Sequence, residues 1–224
     1  SHALVGGLIG AAVLESGFGV VKLAGLWKVI IALFISPLIG LVVGYAVMKI
    51  VLYLARPAPP SINKFFKRSQ IVTALALALS HGTNDAQKTM GVITLGLVSA
   101  KVLPTFQVPL WVVALSASAI ALGTWTGGWR WIRTIGGKFF KIRPVHGFTA
   151  QLASASVIMG AAFLGGPVST TQVVSSAVMG VGSAERLSKV HLEVAQQIVL
   201  AWFTTIPVSA LLSMGFALIL RQWF

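Results

Sequence analysis

The chain has 224 residues, 56% of them apolar and only 9% charged, and it sets 17 Lys and Arg against 4 Asp and Glu for a formal charge of +13. With a mean hydropathy of +0.90, these proportions exclude an ordinary water-soluble globule and call for a lipid bilayer as solvent. In a soluble chain the basic excess would point to nucleic acid. Here it gathers in short segments between apolar runs, as the positive-inside bias requires, and no nucleic-acid partner is expected. Cysteine is absent, which removes disulfides, thiolate metal sites and thiol catalysis.

A helix needs roughly 20 apolar residues to span the hydrocarbon, and that ruler divides the chain. Residues 3–14 form an apolar helix too short to cross alone, and residues 29–55 form a full span. A basic connector with Pro57, Pro59 and Pro60 follows over 56–70. The run 71–98 is long enough to cross but is interrupted by His81-Gly82-Thr83-Asn84-Asp85-Ala86-Gln87-Lys88-Thr89, so a break in the helix is expected there. Residues 109–126 are an uninterrupted span, and 129–143 a second basic loop with Arg130, Arg133, Lys138, Lys141 and Arg143. Residues 147–164 are apolar and rich in the small residues that let helices approach closely in lipid. Gly165-Gly166-Pro167-Val168-Ser169-Thr170-Thr171 then breaks the run, a short helix covers 172–182, and 194–220 is the last span. Trp111, Trp129, Trp131 and Trp223 near span ends read as interface anchors.

Laid over itself at an offset of 170 residues, the chain matches without a gap: Ser1-His2 falls on Thr171-Gln172, Gly10 on Gly180, Glu15 on Glu185, Pro37 on Pro207 and Leu41 on Leu211. With both strongly basic loops in the cytoplasm, residues 29–55 run inward and 194–220, after a linker holding Arg186 and Lys189, run outward. Copies of opposite orientation, with helices broken at membrane depth, are the build of secondary transporters. On that reading 147–182 is a re-entrant hairpin with its tip at 167–171. The expected fold is an all-α polytopic membrane protein with inverted repeats: residues 1–55 end the first, 56–70 connect, and 71–224 form the second.

Non-helical backbone inside a bilayer needs protein or a water-filled cavity around it, so the polar breaks mark a site. Asp85 is the one acidic residue within an apolar segment, where an ionised Asp costs about 2.5–3.5 kcal/mol on insertion scales. It either pairs with Lys88, three positions on along the same helix face, or holds a cation or proton in a cavity, with Asn84 beside it. Ser169, Thr170 and Thr171 at the mouth of a short helix suit an oxyanion; the blander reading is that they cap that helix. Thr83, Gln87, Thr89 and Gln151 are candidate cavity-lining residues, Gln151 equally a partner for a neighbouring helix. His81 and His146 read as satisfied residues at helix ends. No G-x-x-x-x-G-K-[ST], H-E-x-x-H or G-x-S-x-G run is present, so neither ATP-driven pumping nor intramembrane proteolysis is expected.

Ser80 to Lys88, followed by Gly91, resembles the G-A-N-D signature of the inorganic phosphate transporter family in its bacterial low-affinity Pit form. Pro167-Val168-Ser169-Thr170-Thr171, with Ser175, Ser176 and Gly180, is similar to that family's second signature, with Gln172 where a His is usual. Ser1-His2 and the residues to Gly10 resemble the end of the same signature in the first repeat, so the chain is expected to be a piece that lacks the first Asn-Asp element. The resemblance implies a phosphate symporter of the bacterial plasma membrane, not an enzyme. Ser169, Thr170, Thr171, Gln172 and Lys88 would bind phosphate, Asn84 and Asp85 the coupling ion, and Ser1 and His2 would line the cavity. It implies proton coupling, with sodium the alternative, and leaves room for a divalent metal carried with phosphate and for a homo-oligomer. A channel subunit with a polar filter and a non-transporting membrane scaffold are the competing readings.

Overall fold

The computed structural model describes residues 1–138, 143–166, 168–185 and 192–221. Pro167, Lys141, Arg186, Lys189 and Trp223 lie outside them, as do the side chains of Trp129, Arg130, Trp131, Arg133 and Lys138. The described chain is all helix: α1 (His2–Ser16), a single 3-10 turn (Phe18–Val20), α2 (Leu23–Leu54), α3 (Ile62–Ser99), α4 (Leu110–Lys138), α5 (Pro144–Phe163), α6 (Thr170–Glu185) and α7 (Leu192–Arg221). Leu23–Leu54 and the stretch Phe203–Arg221 of α7 are long and apolar enough to cross a membrane.

Stop signals in the sequence account for the corners. Gly17, at φ 74°, ends α1 in a left-handed conformation open to glycine. Gly165, at φ 67°, ends α5; its N–H donates to Ala162 O and the Gly166 N–H to Ala161 O, the paired bonds of a Schellman motif. That motif turns the chain from α5 into α6 and makes the hairpin. At the other end of α5, Pro144 takes the first turn, where a missing N–H costs nothing, and the Arg143 N–H donates to His146 Nδ1 at 3.1 Å.

Pro37 lies inside α2 and Pro207 inside α7. Pro37 leaves the Leu33 carbonyl without its helical donor, and the Ser36 hydroxyl donates to it at 3.2 Å, the repair expected of Ser in lipid-exposed helices. Packing is by glycine. A Cβ on Gly6 or Gly10 of α1 would strike α7 backbone at Ile206 or Ala210, and one on Gly40, Gly44 or Gly180 would strike backbone across the α2–α6 seam. α5 lies against α3, α2 and α6, and α3 also against α4.

Outward faces stay apolar: Leu38, Val42, Val72, Leu75, Leu79, Leu200 and Leu211 are each more than half exposed. The surface of 14516 Å² is about half as large again as the roughly 9,800 Å² expected of a compact soluble monomer of this mass. Those faces need lipid or protein against them.

Two expectations need correction. No break occurs at 81–89: α3 is one helix of 38 residues. Gly82 alone costs about 1 kcal/mol relative to Ala in a helix, too little to interrupt it, and two of the hydroxyls in and beside the run bond back along the same helix. Ser80 Oγ donates to Ala76 O at 2.7 Å and Thr89 Oγ1 to Asp85 O at 3.2 Å. Nor are the basic loops as long as 56–70 and 129–143, because Ile62 already starts α3, with Lys64, Lys67 and Arg68 on its first turns, and α4 runs on to Lys138.

Candidate functional site

On α3, His81, Asn84, Asp85 and Lys88 fall at intervals of three and four, one face of a helix, and that face meets the tip of the α5–α6 hairpin. Lys88 Nζ donates to Asp85 Oδ1 at 3.0 Å and to the Val168 carbonyl at 2.8 Å. His81 Nε2 stands 3.4 Å from Asp85 Oδ2. Thr170 Oγ1 approaches the same carboxylate at 3.4 Å and 3.5 Å. The pairing of Asp85 with Lys88 is therefore real, but it also reaches across to α6.

Ser169 caps α6: its carbonyl accepts the first helical bond, from the Val173 N–H at 3.0 Å. The N–H groups of the first turn have no helical acceptor, and with the positive dipole end they favour negative charge there. Ser169 and Thr170 are buried; Thr171 is exposed, its hydroxyl 3.3 Å from Ser169 Oγ. Ser169, Thr170, Asp85 and Lys88 thus converge, whereas Thr171 faces outward.

Gln172 turns to a second buried pair, its Nε2 lying 3.3 Å from His2 Nδ1. His2 also sets its ring edge-on to Phe34, with centroids 5.8 Å apart. Ser1 Oγ donates to the Val168 carbonyl at 3.0 Å, so the Ser1-His2 end does stand beside the hairpin tip. No sequence signal marks Val168 as the shared acceptor, because every residue carries a carbonyl.

A cavity of about 230 Å³ opens beside Lys88, lined by Asn84, Gln87, Lys88, Ala162, Gly165 and Gly166. At about 30 Å³ per water it has room for several waters or one small anion. Asn84 is 5% exposed, and its Oδ1 has no partner among the described residues, an orphan that a ligand or water in this cavity could satisfy. A second cavity of about 770 Å³ lies between α3 and α4, lined by His81, Thr83 and Gln87 with apolar residues of both helices. A groove of about 650 Å³ between α2 and α5 is almost wholly apolar and offers an anion little.

Two cavity-lining candidates do not take that place. Thr89 is exposed and bonds within its own helix, and Gln151 Oε1 accepts the Thr73 hydroxyl at 2.7 Å, fastening α5 to α3. Sequence reasoning also missed the cluster at the opposite end of the hairpin. There Glu185, closing α6, meets Arg143 and the fully buried His146, with His146 Nε2 3.2 Å from Glu185 Oε2. Among the described residues no group of three or more His, Asp or Glu stands ready for a resident metal.

A model of the phosphate transporter family matches residues 1–213. A protein of Bacillus subtilis named as a low-affinity inorganic phosphate transporter is 44% identical over 214 residues, covering 95% of this chain and 64% of its own length. A Rhizobium meliloti protein of the same name is 44% identical over 215 residues, with the same two coverages. One from Mycobacterium tuberculosis is 41% identical over 215 residues, 94% of this chain and 52% of the relative. Among solved structures, a sodium-dependent phosphate transporter superposes with a TM-score of 0.66 at 27% identity, over 100% of this chain and 65% of that one. The chain thus spans at most about two thirds of the length of these relatives.

Proposed function

Because the chain belongs to the phosphate transporter family, whose members work in membranes, we propose that the protein carrying it is a multi-pass symporter of inorganic phosphate in the plasma membrane, coupled to protons through Asp85. One observation carries the reading: the capped N-terminus of α6, with buried Ser169 and Thr170, faces the Asp85–Lys88 pair beside a cavity with an unpartnered Asn84 oxygen. Hydroxyls, helix N–H groups and an ammonium suit a phosphate. A carboxylate among them repels the same anion until it is neutralised, so protonating Asp85 and admitting phosphate help each other. That mutual dependence is what symport requires.

The inverted-repeat arrangement is part of the proposal. What supports it is that α1 packs on α7 while α6 packs on α2, one pairing made twice with the copies exchanged, and that Pro37 and Pro207 lie inside α2 and α7 at matching positions. His2 and Gln172, the same position in the two copies, touch each other. Sodium coupling is the second reading, favoured by the sodium-dependent structural relative.

Proteoliposomes holding the full-length protein test the proposal. Saturable phosphate accumulation driven by an inward proton gradient is expected, and Asp85→Asn should abolish accumulation with the protein still inserted. Wild-type accumulation by that variant would remove Asp85 from the mechanism, and an ohmic, unsaturable current would make the protein a channel.

A further inference from the structure

The root of the hairpin, where α5 begins and α6 ends, carries a polar cluster that phosphate binding leaves without a task. Glu185 is the last residue of α6, and a negative charge at a helix C-terminus is unfavourable. What holds it there is the first turn of α5. The Arg143 N–H donates to His146 Nδ1 at 3.1 Å, which puts the ring proton on Nε2, and Nε2 stands 3.2 Å from Glu185 Oε2. The Arg143 guanidinium, 3.4 Å from the same ring nitrogen, pairs with Glu185 Oε1. His146 is 1% exposed, so the carboxylate is gripped by one donor from the interior and one from the surface.

The two arms so joined belong to different partners. α5 is fastened to α3, by Gln70 Nε2 donating to Pro144 O at 2.8 Å and by Thr73 Oγ1 donating to Gln151 Oε1 at 2.7 Å. α6 is seated on α2 through the close approaches at Gly40, Gly44 and Gly180. Along the seam between these pairs the two ends differ. Towards the tip, α2 and α5 stand apart as the groove of about 650 Å³; towards the root, Met48, Val145, Val181 and Ala184 close into one apolar cluster with Phe66. We infer that Arg143, His146 and Glu185 are the latch of a gate, shut in this structure, that closes the root side of the phosphate site by clasping the α3–α5 pair to the α2–α6 pair. The inference rests on the transport reading above, on which the root side is cytoplasmic. Releasing Glu185 lets α5 move off α6 with α3 and opens the seam from the root towards the tip. Ser154 lies along that seam's helix, about 15 Å from Pro144 at about 1.5 Å per residue. It is fully buried and its Oγ has no partner among the described residues; water entering an opened seam would satisfy it.

Ser154→Cys in the full-length protein, freed of any other Cys, reports the gate. Its reaction with an impermeant methanethiosulfonate applied from the root side of sealed vesicles should be slow, and adding Glu185→Gln should speed it about tenfold, the scale of one lost hydrogen bond to a charged group. A second measurement locks the latch instead of loosening it. Arg143→Cys with Glu185→Cys, joined by a bifunctional methanethiosulfonate, should lower phosphate uptake by proteoliposomes and regain it when the link is reduced. A clasp that only braces the fold would not stop transport by being held shut. Unchanged uptake with the link formed, or a Ser154→Cys rate that Glu185→Gln leaves unchanged, overturns the inference. If Glu185→Gln does not fold, the cross-link decides alone; if the unlinked double variant is inactive, the labelling does. Absence of phosphate uptake by the unaltered protein would reject the transport reading, and the labelling comparison would still decide whether the root opens.

Discussion

Thr170 is 3% exposed and its hydroxyl lies against Asp85, while Thr171, the next residue, is exposed and its hydroxyl meets only Ser169 Oγ among the described residues. The two hydroxyls therefore separate by a single substitution. Thr170→Val keeps the shape and removes a hydrogen bond to a charged group, about 1.5–3 kcal/mol. The phosphate KM should rise about tenfold or more. Because the same hydroxyl touches the carboxylate, the pH profile of uptake should move as well; a raised KM with an unmoved profile would confine Thr170 to phosphate. Thr171→Val should change the KM less than twofold. From sequence, the hydroxyls and the carboxylate read as two elements with separate duties. The fold merges them, since contacts between α3 and a hairpin tip 80 to 85 residues further along leave no local trace, and the bond from Lys88 to a backbone carbonyl leaves none at all.

Helix seams made of glycine are sensitive to a single methyl group. A Cβ on Gly180 would meet the Leu41 carbonyl and would stand 2.9 Å from the Tyr45 nitrogen, both backbone atoms that cannot rotate away. Overpacking typically costs about 1–3 kcal/mol, and Gly180→Val should lower the melting temperature of the detergent-solubilised protein by several degrees. Gly91 of α3 has nothing within 4 Å of such a Cβ, so Gly91→Ala should raise stability by about 0.5–1 kcal/mol through helix propensity alone. Equal melting temperatures for the two variants would mean that the α2–α6 seam is looser than it stands here. Glycine likewise explains which break was legible. Gly165-Gly166 ends α5 because a left-handed residue and two capping bonds follow it. Gly82 ends nothing: the helix runs on through it, with Ser80 and Thr89 bonding along it and Lys88 across to the hairpin. A cluster of polar residues inside an apolar run marks a site; only backbone chemistry marks an interruption.

At the scale of the molecule, the proposed topology turns on α3. Its 38 residues reach about 57 Å at 1.5 Å per residue, well beyond a hydrocarbon core of about 30 Å. On the proposed topology the surplus lies at the basic end, with Lys64, Lys67 and Arg68 on the cytoplasmic side. Ser61 and Lys101 flank the helix, are both exposed, and the chain has no Cys of its own. Ser61→Cys should react with an impermeant maleimide only from the cytoplasmic side of sealed vesicles and Lys101→Cys only from the other. Labelling of both from one side would lay α3 along the membrane and undo the orientation of the repeats.

The Val168 carbonyl joins three segments through one atom: it accepts Ser1 Oγ at 3.0 Å ahead of α1 and Lys88 Nζ at 2.8 Å from α3, and it belongs to the hairpin tip. Both lone pairs are then committed. Any rocking of the hairpin away from α3 and α1 strains two bonds in the same instant, so they yield together. An arrangement of that kind resists small displacements and gives way past a threshold, acting as a detent. An arriving anion that took over the Ser1 and Lys88 donors would release the tip in one step.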